Sequence, residues 1–340
     1  MPDSDQSPLA SVTLLRRLIG HGIVFLLLGL LIAVLLRDWS ERISPDWPRG
    51  RDRIVLLRQQ QHDVEALALG NSQSQAIDFQ ALGLSGFHLW LEGTDPEEAA
   101  YTLRVFRPGL PRLKRIYFPL SLGYSRHIDS RNEGNRAVRN LVYYQTLCFD
   151  PWSPAMTGDW KNWLAAWFRP IARKDRWRAI LTTGGGTSPD KASLANDGKY
   201  WTTGVNWRPP QPDARQRNLK AMSLIPYFNS CDAACRDQNW AHLLDFVFTA
   251  SRLGLEVVLY TPPYSQTYIE TIKQEAPEIL AETQAWGQRL AREPGVRYYD
   301  FADYSPIGGN PAHFGDEVHL NPKGALLFST LLAGFKTGNR

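Results

Sequence analysis

Cysteine is scarce in this chain, and the cysteines that occur do not form a zinc site of the common kind. The 340 residues include three cysteines, Cys148, Cys231 and Cys235. The last two form a single pair, without the second pair or histidine partner that four-coordinate zinc needs. A spacing of about one helical turn suits a local disulfide in an oxidising compartment or two buried free thiols. These alternatives stay open, and no metal or cofactor is predicted.

Positive charge is neither abundant nor clustered. The chain has 38 lysines and arginines against 34 acidic residues, a net charge of +4, and only 9 of the 38 are lysines. No dense basic stripe occurs, so no nucleic-acid partner is predicted. The glycine-rich segment Thr182–Thr187 lacks the Lys-Ser/Thr of a phosphate loop, so nucleotide binding is not predicted either.

Long apolar runs are absent except for one near the N-terminus. Residues 18–36 form a 19-residue run interrupted only by His21 and three glycines, and a helix of that length just crosses a bilayer. A signal peptide would have a shorter core and a small-residue cleavage site, whereas Arg37-Asp38-Trp39 follows here. We therefore predict a tail at 1–17, a retained single-pass anchor at 18–37 and a polar, proline-containing linker at 38–53.

The remaining residues, 54–340, are predicted to form one α/β domain. Short apolar strands are predicted at Val64–Leu69, Arg115–Leu122, Leu255–Tyr260 and Val296–Phe301. Helices are predicted at Ser74–Leu82, Trp240–Leu253, Ala276–Arg292 and Pro322–Phe335. Because strands alternate with helices, we expect a central parallel sheet with its active site at the carboxyl ends of the strands.

A Trp-rich segment at about 125–235 does not fit this alternation. It contains seven of the chain's 12 tryptophans and is too long for an ordinary loop. We interpret it as an insertion that partly covers the carboxyl edge of the sheet. Its tryptophans could stack on sugar rings, although core packing is the more common role of tryptophans at helical spacing, such as Trp160, Trp163 and Trp167.

Two short motifs predict chemistry. Leu-Gly-Asn-Ser ends at Ser72 and closes the first predicted strand, and Asp-Glu-Val-His runs from Asp316 to His319 before the last predicted helix. A serine attacks an acyl carbon only when a base takes its proton, and that base needs a carboxylate to fix its tautomer. Ser72, His319 and Asp316 are therefore a candidate nucleophile, base and orienting acid.

These motifs resemble those of the SGNH (GDSL-type) hydrolase superfamily, which has a nucleophile block near the start of the domain and a late Asp-x-x-His block. Gly70-Asn71-Ser72 matches the first block with Asn in place of Asp, and Asp316–His319 matches the last. Weaker likeness extends to Ile116–Ser121 and Val257–Tyr264. The resemblance implies an SGNH-like three-layer fold with a central parallel sheet.

The resemblance also implies an oxyanion hole. Its donors would include the amide of Ser72 and either Gly123 or the amide of Ser121. The family's Gly-x-Asn-Asp block is absent, because Tyr260-Thr-Pro-Pro-Tyr264 stands there. Asn71, beside the nucleophile, is the candidate replacement donor.

Within the superfamily, the chain looks like the membrane-anchored DltD-type D-alanyl transfer proteins and the alginate O-acetylation proteins. That branch implies a serine that passes an acyl group to an envelope polysaccharide or teichoic acid, together with a multi-pass acyltransferase of the MBOAT class. It also implies a periplasmic or extracytoplasmic catalytic domain on a cytoplasmic-membrane anchor. A literal count of arginines, two before the apolar run and five soon after it, would favour the opposite orientation.

Other interpretations stay open. Ser72 could be a helix N-cap, Asp316 a turn cap and His319 a surface histidine. An esterase would use the same three residues to remove acyl groups, and a degenerate fold could bind envelope polymer as a scaffold without catalysis.

Overall fold

The computed structural model of the protein describes residues 8–42, 48–90, 94–126, 225 and 231–337. The helices are α1 Pro8–Arg42, α2 Pro48–Gln60, α3 Pro96–Phe106, α4 Ala233–Arg252, α5 Gln266–Glu275, α6 Pro277–Leu290 and α7 Pro322–Thr337. The strands are β1 Ala66–Gly70, β2 Gly86–Trp90, β3 Arg115–Pro119, β4 Glu256–Thr261 and β5 Val296–Asp300. Most of the predicted insertion, including Cys148 and the tryptophans from Trp152 to Trp207, lies outside the described residues.

Helix α1 is long and apolar enough to cross a membrane. Its segment Arg16–Leu36 has 21 residues and a mean hydropathy of 2.7, and none of its most apolar stretch is buried against the rest of the chain. A helix of 21 residues is about 30 Å long, which matches the hydrocarbon thickness of a bilayer. The prediction of an apolar N-terminal helix of spanning length is confirmed.

The predicted linker at 38–53 contains helical residues at both of its ends. Helix α1 continues to Arg42, and α2 begins at Pro48, the position that suits proline in a first helical turn. Arg53, at the end of that segment, is buried, as are the next residue, Ile54, and Leu57 one turn further along α2. Residues 45–53 were interpreted as a linker because they are polar, but most of them belong to α2, whose later residues pack on the core.

The five strands form one parallel sheet in the order β2-β1-β3-β4-β5. Strand β1 pairs with both β2 and β3, so that Leu67 lies between Phe87 and Ile116. The α/β class and the parallel sheet are thus confirmed. Strand β2 and helix α3 were not predicted, although Asp95 caps α3 by accepting a hydrogen bond from the amide of Glu98, 3.0 Å away.

Both faces of the sheet are covered at β1, which explains why β1 is apolar throughout rather than alternating. On one face Leu67, Ile116 and Leu259 pack with side chains from α3 and α4. On the other face Ala68 and Tyr117 pack with side chains from α7. Helices therefore cover the sheet on its two sides.

The strand order reverses between β1 and β3, and this reversal marks the expected ligand site. The chain runs outward from β1 to β2, then returns past β1 to β3 and continues to β5. In open α/β sheets, ligands bind at the carboxyl ends of the strands where the order reverses. Ser72 lies just beyond the carboxyl end of β1, and Ser121 just beyond that of β3.

Between β1 and β2 the predicted helix at Ser74–Leu82 is wrong. The chain instead forms a 3-10 helix at Ser72–Ala76 and then turns. Four of the five residues of this 3-10 helix are serine or glutamine. The consequence for the site is that the nucleophile candidate begins a tight 3-10 turn.

Gly70 makes the transition from β1 into this turn. Its φ is +119°, and a Cβ added there would lie 3.1 Å from atoms of Phe118 and Pro119. Only glycine adopts this conformation without strain. The close approach of β3 to Gly70 therefore fixes the direction in which Asn71 and Ser72 leave the sheet.

Cys231 and Cys235 form a disulfide at the start of α4, which resolves the alternative left open by the sequence. The Cys231 sulfur lies 3.9 Å from the carbonyl oxygen of Ser125, and the buried Asn239 donates a hydrogen bond to the same oxygen at 3.1 Å. Ser125 and Cys231, which lie on either side of the segment 127–230, are therefore next to each other at this disulfide.

The disulfide predicts a pattern of alkylation. The sample is the full chain, exported from the cytoplasm and unfolded without reductant. We expect Cys231 and Cys235 to resist iodoacetamide in this sample and to react with it after reduction. Replacing both cysteines with serine should lower the free energy of unfolding by about 1–2 kcal/mol. Peptide mass spectrometry locates the label. Equal labelling of the two cysteines with and without reductant would contradict the disulfide.

The Gly70 turn predicts an unequal cost for two alanine substitutions. We expect Gly70→Ala to lower the free energy of unfolding by about 2–3 kcal/mol, because strain adds to the contact with Phe118. Gly83→Ala is the matched control: φ is +63° and nothing lies within 4 Å of the added Cβ, so about 1 kcal/mol is expected. Denaturant unfolding in detergent measures both, and equal losses would refute the role of the β3 contact.

Candidate active site

Ser72 is free to act as a nucleophile because its neighbour does the capping. Asn71 is the N-cap of the 3-10 helix, and its side-chain oxygen accepts a hydrogen bond from the amide of Gln73 at 3.0 Å. The interpretation of Ser72 as an N-cap is therefore wrong. Instead, the Ser72 hydroxyl lies 2.8 Å from Nε2 of His319, within the distance needed for proton transfer.

His319 is held in place by Asp316. Nδ1 of the imidazole lies 3.0 and 2.9 Å from the two carboxylate oxygens. A carboxylate only accepts hydrogen bonds, so Nδ1 carries the proton and Nε2 is left to accept the proton of Ser72. This is the tautomer that a serine nucleophile requires.

Asp316 also shapes the loop that carries the histidine. Its Oδ1 accepts hydrogen bonds from the amides of Val318 and His319, each at 2.9 Å. The loop is closed by the amide of Gly315, which donates to the carbonyl oxygen of His319 at 2.9 Å. The turn-capping interpretation of Asp316 thus holds alongside its contact with the imidazole, because the same carboxylate does both.

The predicted oxyanion residues lie near the nucleophile, but two of them are bonded to each other. The Asn71 side-chain amide donates to the Ser121 hydroxyl at 2.8 Å, and that hydroxyl donates to Oε1 of Gln73. Gly123 lies in the turn after β3 with a φ of +90°. None of Asn71, Ser121 and Gly123 lines the pocket at Ser72, and their oxyanion role stays a prediction.

Gln73 is a site residue that the sequence did not indicate. Its side chain is buried, accepts from Ser121, and donates from Nε2 to the carbonyl oxygen of Val318 at 3.2 Å. It therefore ties the nucleophile turn to the end of β3 and to the residue before His319. No sequence pattern distinguishes a glutamine with this role from any other glutamine that follows a serine.

Two buried tyrosines form hydrogen bonds with the backbone next to this network. The Tyr260 hydroxyl donates to the carbonyl oxygen of Gln73 at 3.3 Å, and the Tyr264 hydroxyl accepts from the amide of Leu122 at 2.9 Å. Burial raises the pKa of Tyr260 and of Tyr264 well above the ordinary tyrosine value. Both phenols therefore stay neutral near pH 7, and Tyr260 keeps the proton that it donates.

The pocket beside Ser72 is small and mostly apolar. It is lined by Ser72, Gln73, Gln75, Ala76, Pro262, Pro263, Val318, His319 and Leu320. Within the described part of the chain, no cluster of three or more His, Cys, Asp or Glu side chains could hold a metal ion. A serine, an imidazole and a carboxylate in hydrogen-bonding sequence, open to an apolar pocket, can carry out acyl transfer through a covalent serine intermediate.

The Asp316–His319 contact predicts the effect of an isosteric change. We expect Asp316→Asn to slow acylation of Ser72 by p-nitrophenyl acetate about 10³- to 10⁴-fold, since the amide would donate to Nδ1 and stabilise the wrong tautomer. Asp303→Asn is the control, because Asp303 pairs with Lys273 at 2.7 Å and lies outside the triad. Burst kinetics measure both variants, and comparable rates would exclude the orienting role of Asp316.

Comparison with known proteins adds no family assignment. No protein-family model matches this chain, and no curated protein sequence matches it significantly. The roles of Ser72, Asp316 and His319 are therefore inferred from their chemistry and geometry.

Proposed function

We propose that the protein is a membrane-tethered serine acyltransferase that modifies a cell-envelope polymer through an acyl-enzyme at Ser72. The observation that carries the proposal is the continuous hydrogen-bond path from Ser72 to His319 to Asp316, with 2.8 Å between Oγ and Nε2. The path lies where the strand order reverses, which is where α/β sheets bind ligands. An SGNH-like three-layer fold is part of this proposal, supported by helices on both faces of the sheet.

The first half of the reaction acylates the enzyme. The Ser72 oxygen attacks the carbonyl carbon of the acyl donor as its proton passes to Nε2 of His319, and the carbonyl π electrons move onto oxygen. When the tetrahedral intermediate collapses, the C–O double bond re-forms and the bond to the leaving group breaks. The leaving group takes the proton from Nε2, which restores the neutral imidazole.

The second half passes the acyl group to an acceptor hydroxyl. That hydroxyl gives its proton to Nε2 of His319 as its oxygen attacks the ester carbon on Ser72. Collapse of the second tetrahedral intermediate breaks the bond to the Ser72 oxygen, which regains a proton from Nε2. If water is the acceptor, the same steps make the protein an esterase, which is the second candidate function.

The location is proposed from two features. Helix α1 would anchor the chain in the cytoplasmic membrane, and the Cys231–Cys235 disulfide favours a compartment outside the reducing cytoplasm for the folded domain. The acyl donor would then be supplied across the membrane, which is the task of a multi-pass MBOAT-type acyltransferase. The acceptor class would be an envelope polysaccharide or a teichoic acid.

A mass measurement tests the proposal. With the full chain in detergent and p-nitrophenyl acetate as donor, we expect an acetyl group on Ser72 and its complete loss in Ser72→Ala, because no other group would hold the acyl. Ser85→Ala is the control, since Ser85 is an exposed serine in the turn before β2. A wild-type chain that is never acetylated at Ser72 would overturn the proposal and leave a polymer-binding scaffold.

The same acyl-enzyme separates transfer from hydrolysis. We expect an unacetylated polyuronate oligosaccharide or a glycerol-phosphate oligomer to remove the acetyl group from Ser72 faster than buffer alone, with the acetyl recovered on the oligomer. Release only as free acetate, at a rate that neither acceptor changes, would favour the esterase.

A further inference from the structure

Part of the wall of this pocket offers no backbone donor. Pro262 and Pro263 form part of this wall, and proline has no N–H group. Ala76, Val318 and Leu320 contribute apolar side chains. Because attack by Ser72 places negative charge on an acyl oxygen in this pocket, a further donor beside the predicted amide of Ser72 must come from elsewhere in the lining.

Most nearby donors are already used. Nε2 of Gln73 donates to the carbonyl oxygen of Val318, and the side chain of Asn71 donates to Ser121. The amide of Leu122, just after β3, donates to the hydroxyl of Tyr264. These groups hold the site together, and reaching a substrate would break contacts that position the triad.

Gln75 is different. It lies three residues after Ser72 on the 3-10 helix, where side chains at positions i and i+3 eclipse each other, and it lines the same pocket as Ser72 and His319. Its side chain is half-buried and makes no hydrogen bond with any residue that the structure describes. A carboxamide therefore stands next to the nucleophile with both of its N–H donors uncommitted.

We propose that Gln75 is a catalytic residue whose side-chain amide donates a hydrogen bond to the oxyanion formed when Ser72 attacks the acyl carbonyl. The inference rests on the proposed acyl-enzyme chemistry. No proton is transferred from Gln75: its N–H stabilises the charge while the tetrahedral intermediate exists, and releases it when the carbonyl re-forms. Removal of one such donor typically slows the chemical step about 10²- to 10³-fold.

The test compares two glutamines that lie five residues apart. Full-length wild type, Gln75→Leu, Gln75→Glu and Gln80→Leu are assayed in detergent for the acylation burst with p-nitrophenyl acetate. Gln80 is exposed and lies outside the pocket. We expect both Gln75 variants to lower the acylation rate at saturating ester about 100-fold with KM changed less than about twofold, since the donor acts on the transition state. Gln80→Leu should match wild type.

Two outcomes would overturn the role of Gln75. One is a wild-type acylation rate in Gln75→Glu together with Gln75→Leu, and the other is a loss confined to KM, which would indicate ground-state binding. Thermal unfolding of the four proteins checks that a slow variant is folded, and Gln75→Glu serves if Gln75→Leu is not. Failure of the proposed function itself looks different, because wild type would then release p-nitrophenol no faster than Ser72→Ala.

Discussion

The hydrogen bond between the Ser72 hydroxyl and Nε2 of His319 depends on the parallel arrangement of the whole sheet. The two residues are 247 positions apart, and nothing local brings them together. They meet because β1 and β5 run in the same direction, so that the chain leaves both strands at the same edge. An antiparallel β5 would carry the histidine loop to the opposite edge.

The sheet topology alone does not hold Ser72 and His319 within hydrogen-bonding distance. A buried polar network also positions them. Asn71, Ser121, Gln73 and the carbonyl oxygen of Val318 form a chain of hydrogen bonds from the nucleophile turn to the histidine loop. Such networks are rigid when fully satisfied, because a lost partner leaves a buried polar group without compensation. The neutral Tyr260 adds a further donor beneath Gln73.

The sequence predicted the site best where the interacting residues lie within one short motif. Asp316 and His319 are three residues apart, so their contact follows from a single turn. Strand β1, which precedes Ser72, is apolar because both of its faces are covered. Prediction from the sequence failed where local signals conflict with tertiary context. The polar stretch at 45–53 looked like a linker but belongs largely to α2, since its later residues pack on the core. Strand β2 contains Gly86 and the buried His88, neither of which favours a strand by propensity.

The site residues show the same division. Ser72 was predicted from its motif, whereas Gln73 and Gln75 were not, and both lie on a 3-10 helix that the sequence did not indicate. On this helix Gln75 lies one turn after Ser72, and both residues line the pocket.

The residues on either side of the segment 127–230 also lie near the carboxyl edge of the sheet. The chain before the segment is the turn after β3, which includes Ser121 of the network. The chain after it begins at Cys231, which lies against Ser125. The described residues on its two sides are therefore in contact, and Arg126 forms an ion pair with Glu282 of α6 at 2.7 Å. Strands and network hold the reacting atoms, while loops at the carboxyl edge carry specificity in such folds.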